Sequence, residues 1–365
     1  MRASRSVLAT VALVACGSRT GLYDDAVATT SNPAPDGGAL DGPVTPQGFC
    51  GPTPTVLAAA QPDPVALTVD AARVYWTTQP LGDVTAGGVY SALLAGGPVT
   101  ALAAPQPGPL AITVNPTNAF WTDQWGGNVM TVPLGGGNPT ALAPAEGFNN
   151  PSWVVVDATS VYWTDFGDEC IPSGTVMKLP LGGGTRTELA SGQAEPWALA
   201  VDAEAVYWVN VTEAAPGGAT VVKVGLNGGP TTTLATGANF PSGLAVDADA
   251  VYYTSSGTMG AGFEDGAVMR VPKSGGTPTT VASNQFVPSG VAVDDSDVYW
   301  VDAGQDDGTG AVMRAPKAGG AAVTLVAGQN RPGSLVVDAS CVYWVNAGTS
   351  GNNENDGTVM MVAKR

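Results

Sequence analysis

The chain has 365 residues with 14 basic and 31 acidic side chains, a formal charge of −17, and no histidine. That balance repels phosphate backbones and anionic lipid headgroups, so nucleic acid is not an expected partner. The missing imidazole excludes Ser-His-Asp and Cys-His nucleophiles, His-bearing zinc sites and His general acid–base chemistry.

The first element in chain order is an address. Arg2 and Arg5 precede the apolar run Val7 to Ala15, too short to span a bilayer but suited to the core of a signal peptide. The ending Leu13-Val14-Ala15-Cys16 resembles the lipobox of bacterial lipoproteins. It implies a signal peptide over 1–15, cleavage before Cys16 and lipid on its thiol. Acyl chains there would be the only hold on a membrane, because no later segment is apolar enough to cross one. Gly17 and Ser18 follow the cysteine instead of Asp, which by the sorting of enteric lipoproteins implies the outer membrane. Residues 16–50, rich in Pro, Gly, Asp and Thr and without periodicity, read as a flexible linker.

Over 51–365 the sequence repeats itself. Proline-led segments begin at Pro64, Pro109, Pro151, Pro196, Pro241, Pro288 and Pro332, spaced by 42 to 47 residues. A period near 45 with strand-like content predicts propeller blades of four strands. In each unit an apolar run ends at Asp or Asn, whose side chain can bond forward to a tight turn. An aromatic segment such as Val161-Tyr162-Trp163-Thr164-Asp165 follows, then a third strand of the type 174–181, a Gly-Gly hairpin and a fourth strand. The seventh unit stops after its third strand, at 357–365, while Thr53 to Ala59 matches a fourth strand and stands before the first unit. The expected fold is therefore all-β: a seven-bladed propeller of four-stranded antiparallel blades, closed by the N-terminal strand completing the last blade. One ring closed on itself is expected to be a monomer.

The recurring motif resembles that of the YWTD β-propellers of the LDL-receptor class and, more loosely, NHL-type propellers. It departs in having seven units where YWTD domains usually have six, and no cysteine-rich module follows, so the receptor function of that class is not carried over. Trp76, Trp121, Trp163, Trp208, Trp300 and Trp344 occupy one repeat position, with Tyr253 replacing the indole in the fifth unit. Their recurrence predicts packing between blades, not chemistry.

Cys341 lies in the turn between first and second strands of the seventh unit, and Cys50 lies just before the strand expected to complete that blade. Antiparallel alternation brings both to one end, so a Cys50–Cys341 disulfide is expected. Cys170 should sit at the opposite face, unpaired.

Alternating strand directions send the loops between second and third strands, and those entering each first strand, to one common face. Asp63, Asn150 and Glu195 stand immediately before repeat prolines, as do Phe240 and Arg331. The three oxygen donors suit Ca²⁺ or Mg²⁺; resemblance to gluconolactonase-type propellers implies a metal-assisted lactonase-like hydrolase as the alternative function. Trp125, Trp153, Trp197, Phe240 and Phe286 are aromatic residues near loop ends, beside Arg331, and suit a sugar or peptide ligand. The leading expectation is an extracytoplasmic, lipid-anchored binding or scaffolding protein that recognises a protein or glycan at the loop-rich face, without catalytic residues.

Overall fold

The first two strands of each repeat lack the polar and apolar alternation of a half-exposed sheet, and their burial shows why: Pro151–Val156 and Ser160–Asp165 are buried at every position. The computed structural model describes residues 50–80, 85–143, 150–168, 171–211, 217–349 and 355–364. The expected signal peptide, the expected lipid attachment at Cys16, nearly all of the linker and Cys170 lie outside them.

The described strands form seven four-stranded antiparallel sheets. Six run in chain order, as Pro64–Val69, Arg73–Thr78, Gly87–Leu93 and Thr100–Gln106 do in the first blade. The seventh joins Pro332–Val337, Cys341–Asn346 and Gly357–Ala363 to Thr55–Gln61, with Thr55 opposite Met361 and Gln61 opposite Gly357. The ring thus closes as the repeats predict. A disulfide between Cys50 and Cys341, with Cα atoms 6.0 Å apart, fastens that closure. First strands are innermost: each packs against those of both neighbouring blades, and Pro332–Val337 packs against Pro64–Val69.

The aromatic motif divides into four separate tasks. Trp76, Trp121, Trp208, Trp300 and Trp344 are fully buried, and Trp76 lies among Leu57, Tyr343 and Met361 of the preceding blade. Burial of one indole contributes roughly 2 to 3 kcal/mol. The indole N–H donates to the glutamine ending the previous blade's last strand: Trp76 to Gln61 at 3.0 Å, Trp300 to Gln285 at 3.0 Å, Trp344 to Gln329 at 2.9 Å. Where the glutamine is replaced by Ala238, the indole is replaced by Tyr253.

The tyrosine hydroxyl donates to the aspartate that shapes the preceding turn, as Tyr75 does to Asp70 at 2.7 Å and Tyr162 to Asp157 at 2.9 Å. The other oxygen of that aspartate accepts from the turn, Oδ1 of Asp70 taking the N–H groups of Ala72 and Arg73. In the second blade Phe120 lacks the hydroxyl, and Asn115 keeps only the turn bonds.

The threonine repairs a fault in the ladder. First strands shift register just after their proline, between Pro64 and Leu67 in blade one and Pro109 and Ile112 in blade two. The hydroxyl of Thr77 accepts the stranded N–H of Ala66 at 3.2 Å and donates to the Leu110 carbonyl of the next blade at 2.8 Å. Thr164 does the same between Trp153 and Trp197. In blade five the first strand is shortened to Leu244–Val246.

The fourth task belongs to the closing Asp or Asn, which accepts from the indole of its own strand: Trp163 to Asp165 at 3.3 Å, Trp208 to Asn210 at 3.0 Å.

Across three boundaries a lysine reaches back to the preceding blade. Lys273 Nζ lies 2.5 Å from Asp202 Oδ2, Lys317 2.6 Å from Asp247 Oδ2, and Lys364 2.9 Å from Asp294 Oδ2. Each also covers the ring of the tyrosine bonded to that aspartate, at 5.3 to 5.7 Å from the centroid. In the first four blades the lysine position holds Leu94, Leu134, Leu181 and Leu226.

Candidate functional site

The site is best built from its backbone. The residue before each repeat proline enters the inner strand through a left-handed turn: φ is 46° at Asp63, 68° at Gly108, 43° at Asn150, 53° at Glu195, 46° at Phe240, 47° at Val287 and 51° at Arg331. In six of the seven its carbonyl accepts the N–H that follows the second strand, Gln79 to Asp63 and Gln124 to Gly108 both at 3.0 Å, Ala347 to Arg331 at 3.1 Å; in blade five the Phe240 carbonyl accepts from the Ser256 hydroxyl at 2.8 Å, and the Ser256 N–H donates to the Asn239 carbonyl. The seven positions therefore share one conformation, one face and one place beside the inner strands. Glycine adopts this geometry freely, whereas other L-residues lose about 1 kcal/mol or more. Only Gly108 uses it, and there contact decides: an added Cβ would come within 1.9 Å of the Trp125 ring. At the other six the fold sets the turn but not the side chain.

Asp63, Asn150, Phe240 and Arg331 are half-buried at this rim, and Glu195 is buried. Phe286, one residue before its turn, is also half-buried. Trp125 is 54% exposed on the loop of blade two, lying over Gly108. Trp153 and Trp197 behave otherwise. Both belong to inner strands, only 3% and 7% exposed, and Trp197 packs edge-on against Phe166 at 5.9 Å. These two indoles hold the base of the face, and Trp125 presents an aromatic surface to solvent.

As for a metal, Asp63, Asn150 and Glu195 come from blades one, three and four. Among the described residues no three His, Cys, Asp or Glu side chains gather as a cation cradle.

Three carboxylates at the end of second strands carry perturbed acidity. Burial raises Asp123, Asp165 and Asp302 each to about 7, against the partial opposition of hydrogen bonds from the Gly126 backbone, from Thr175 and Trp163, and from Trp300 respectively. Asp165 also lines a polar cleft of about 310 Å³ with Ser173, Thr175, Met177, Arg186 and Glu188. All three stand at one position of the architectural repeat; Asp165 and Asp302 accept the indole N–H of their own strand, whereas Asp123 does not.

Sequence reasoning missed two further features of the face. Ile171 and Met259, 59% and 50% exposed, project from the loops of blades three and five, the latter carrying a short 3-10 turn, Met259–Ala261. An isolated apolar residue in a polar loop was the available signal.

No family model and no curated protein matches the chain. Among solved structures it is similar to a virginiamycin B lyase from Staphylococcus aureus, at 12% identity and a TM-score of 0.65, covering 85% of this chain and 98% of that one. A catalytically inactive His-to-Ala form of the same lyase, solved with quinupristin, gives 14% identity and a TM-score of 0.64 over 85% and 98% of the two chains. A puromycin-hydrolyzing peptidase of Mycobacterium tuberculosis gives 16% identity and a TM-score of 0.59 over 84% of this chain and 52% of that one. At these identities what is shared is the propeller fold.

Proposed function

We propose that this chain is a lipid-anchored, extracytoplasmic binding protein of the bacterial envelope whose loop-rich face recognises a protein or glycan partner. The observation that carries the reading is a constant backbone bearing inconstant side chains. Seven turns of one geometry carry Asp, Gly, Asn, Glu, Phe, Val and Arg, and six of them keep a side chain where glycine would be easier. Trp125 stands exposed against this ring, where an aromatic surface is free to stack or pack.

Likeness to a lyase brings no lyase chemistry here. That enzyme has a form inactivated by loss of one histidine, and this chain contains none.

The test places photo-crosslinking residues in cells at Trp125 and Phe286 on the loop-rich face, and at Ser296 and Ala318 on the opposite face. Adducts confined to the first pair support recognition there; adducts only from the second pair, or none from the first, overturn it. Labelled fatty acid incorporated by the parent chain but not by Cys16→Ser supports the anchor, and equal labelling of both removes it.

A further inference from the structure

The linker meets the propeller at its foot, the end opposite the loop-rich face. Cys50 is bonded there to Cys341, the first residue of the second strand of blade seven, and the Gly51 carbonyl accepts the N–H of Ala363 at 2.9 Å. Whatever holds the far end of residues 16–50 therefore pulls on the foot of blade seven.

Around that point the foot is apolar. Among the described residues, Val56, Leu93, Val99 and Val323 are 39 to 50% exposed. Third strands end and fourth strands begin at the foot, and all four side chains stand at those ends: Val323 in blade six, Val56 in blade seven, Leu93 and Val99 on either side of the blade-one hairpin. The three blades are consecutive in the ring, and the outer strand bearing Val56 packs against the strand that ends at Leu93. At the feet of blades two to five no large apolar side chain is exposed among the described residues.

The repeat does not ask for these residues. The position of Val323 is threonine in the other six outer strands, and that of Val56 is threonine in blades four, five and six. Leu93 stands where blades two, three, five and six have proline, and Val99 where blade four has Thr231. Exposed aliphatics scattered singly are ordinary, but these are confined to the blade that carries the tether root and its two neighbours, which marks a contact surface.

What covers it follows from the chain that begins there. A flexible linker of this length spans about 30 Å root mean square, so lipid on Cys16 keeps the foot of blade seven within reach of a bilayer. Even a shallow apolar contact then acts at high effective concentration. The formal charge of −17 turns anionic headgroups away, and a zwitterionic lipid surface is the one that fits.

We infer that the foot of blades six, seven and one rests on a zwitterionic lipid surface, with Val56, Leu93, Val99 and Val323 in its interfacial layer and the loop-rich face turned away from the bilayer. This rests on the reading of the chain as lipid-anchored and adds a second, shallow contact to the acyl chains.

The experiment reconstitutes the chain as lipidated in cells into phosphatidylcholine vesicles that contain a photoreactive phosphatidylcholine, and maps lipid adducts by mass spectrometry. Residues 55–61, 93–100 and 323–329 should carry about tenfold more lipid than the matching outer strands of blades three to five, 187–193, 232–238 and 279–285, since covering the exposed half of a valine is worth about that factor. Val56→Thr, Val99→Thr and Val323→Thr together, each a residue that another blade holds at that position, should bring the yield down to that of the other blades, with fatty-acid labelling and melting temperature unchanged. Adducts spread evenly around the ring, adducts chiefly from the Trp125 and Met259 loops, or a preference that survives the triple threonine variant overturn the inference. So does a dimer of the Cys16→Ser chain that the triple variant dissolves, since a second copy would then cover the patch. If Cys16→Ser takes up as much labelled fatty acid as the parent, the anchored reading is lost and this one with it. If the anchor stands and the adducts are even, only the seating of the foot is lost.

Discussion

The indole N–H of Trp76 donates to Oε1 of Gln61 across 3.0 Å, so the first blade is bonded to the strand that completes the last. Trp121 fills the same repeat position, equally buried, yet its Nε1 has no partner. The pair separates the value of the ring from that of its hydrogen bond. Replacing Trp76 by Phe leaves a buried amide oxygen unpaired and should cost about 1 to 3 kcal/mol beyond the loss of ring volume. Trp121→Phe removes an N–H that already bonds nothing and should cost less by that difference. Urea midpoints of the two variants decide it, and equal losses would refute the assigned role of the glutamine.

The disulfide acts on the same closure from the other end of the strand. Cys50 and Cys341 are separated by 291 residues, so their bond restricts the unfolded chain over almost the whole propeller. Reduction, or replacement of both by Ser, should lower stability by up to about 6 kcal/mol on the chain-entropy estimate. Amides of Thr55–Gln61 should then exchange before those of the other outer strands. Unchanged protection of that strand after reduction would show that pairing with Gly357–Ala363 alone holds the ring.

Blade number and closure were legible because both are matters of spacing. Prolines at a period near 45 and a stray fourth strand before the first unit need no side-chain detail. The reasons behind the motif were present but coded across boundaries. Ala238 with Tyr253, and Asn115 with Phe120, are paired replacements that mean something only once the partner position is known. The lysine clasps join residues about 70 positions apart, which no single repeat displays. For the candidate site, the rim residues before the prolines were found by asking what the repeats do not dictate. The burial of Trp153 and Trp197 was hidden, because the left-handed turn ends one residue before the proline and the inner strand begins at once. Ile171 and Met259 lie in loops that have no period against which an anomaly could stand out.

Blade two supplies a ready-made replacement for the lysine clasp. Burial alone would raise the Asp202 carboxyl, but Lys273 and the N–H groups of Glu204 and Ala205 outweigh it and hold that group below its ordinary value. Lys273→Leu should therefore destabilise by about 1 to 2 kcal/mol, since a largely buried carboxylate loses its counter-charge. Blades two and three do without the clasp by combining Asn115 and Phe120 with Leu181. Adding Asp202→Asn and Tyr207→Phe to Lys273→Leu should recover more than half of the loss. If the triple variant is less stable than the single one, the three residues do not act as a unit. The clasp's contribution is present above the ordinary aspartate value of 3.8 and fades as pH falls below it.

Asp165 gives the opposite dependence. Burial raises its carboxyl from 3.8 to about 7, so between those values the folded chain holds a proton that the unfolded chain has released. Its favourable contribution is complete below pH 3.8 and is lost as pH rises through 7. Blades four and seven carry Asn210 and Asn346 at this position, each donating to the neighbouring threonine, Thr220 at 3.2 Å and Thr358 at 3.1 Å. An amide thus fits the site and bears no charge to desolvate. Asp165→Asn should raise Tm by about 2 to 4 °C at pH 8 and leave it nearly unchanged at pH 4. Calorimetric scans at the two pH values read the sign directly. A gain at pH 4 as large as at pH 8, or a loss at pH 8, would mean that Asp165 is ionised in the folded chain at neutral pH and that burial is not what governs it.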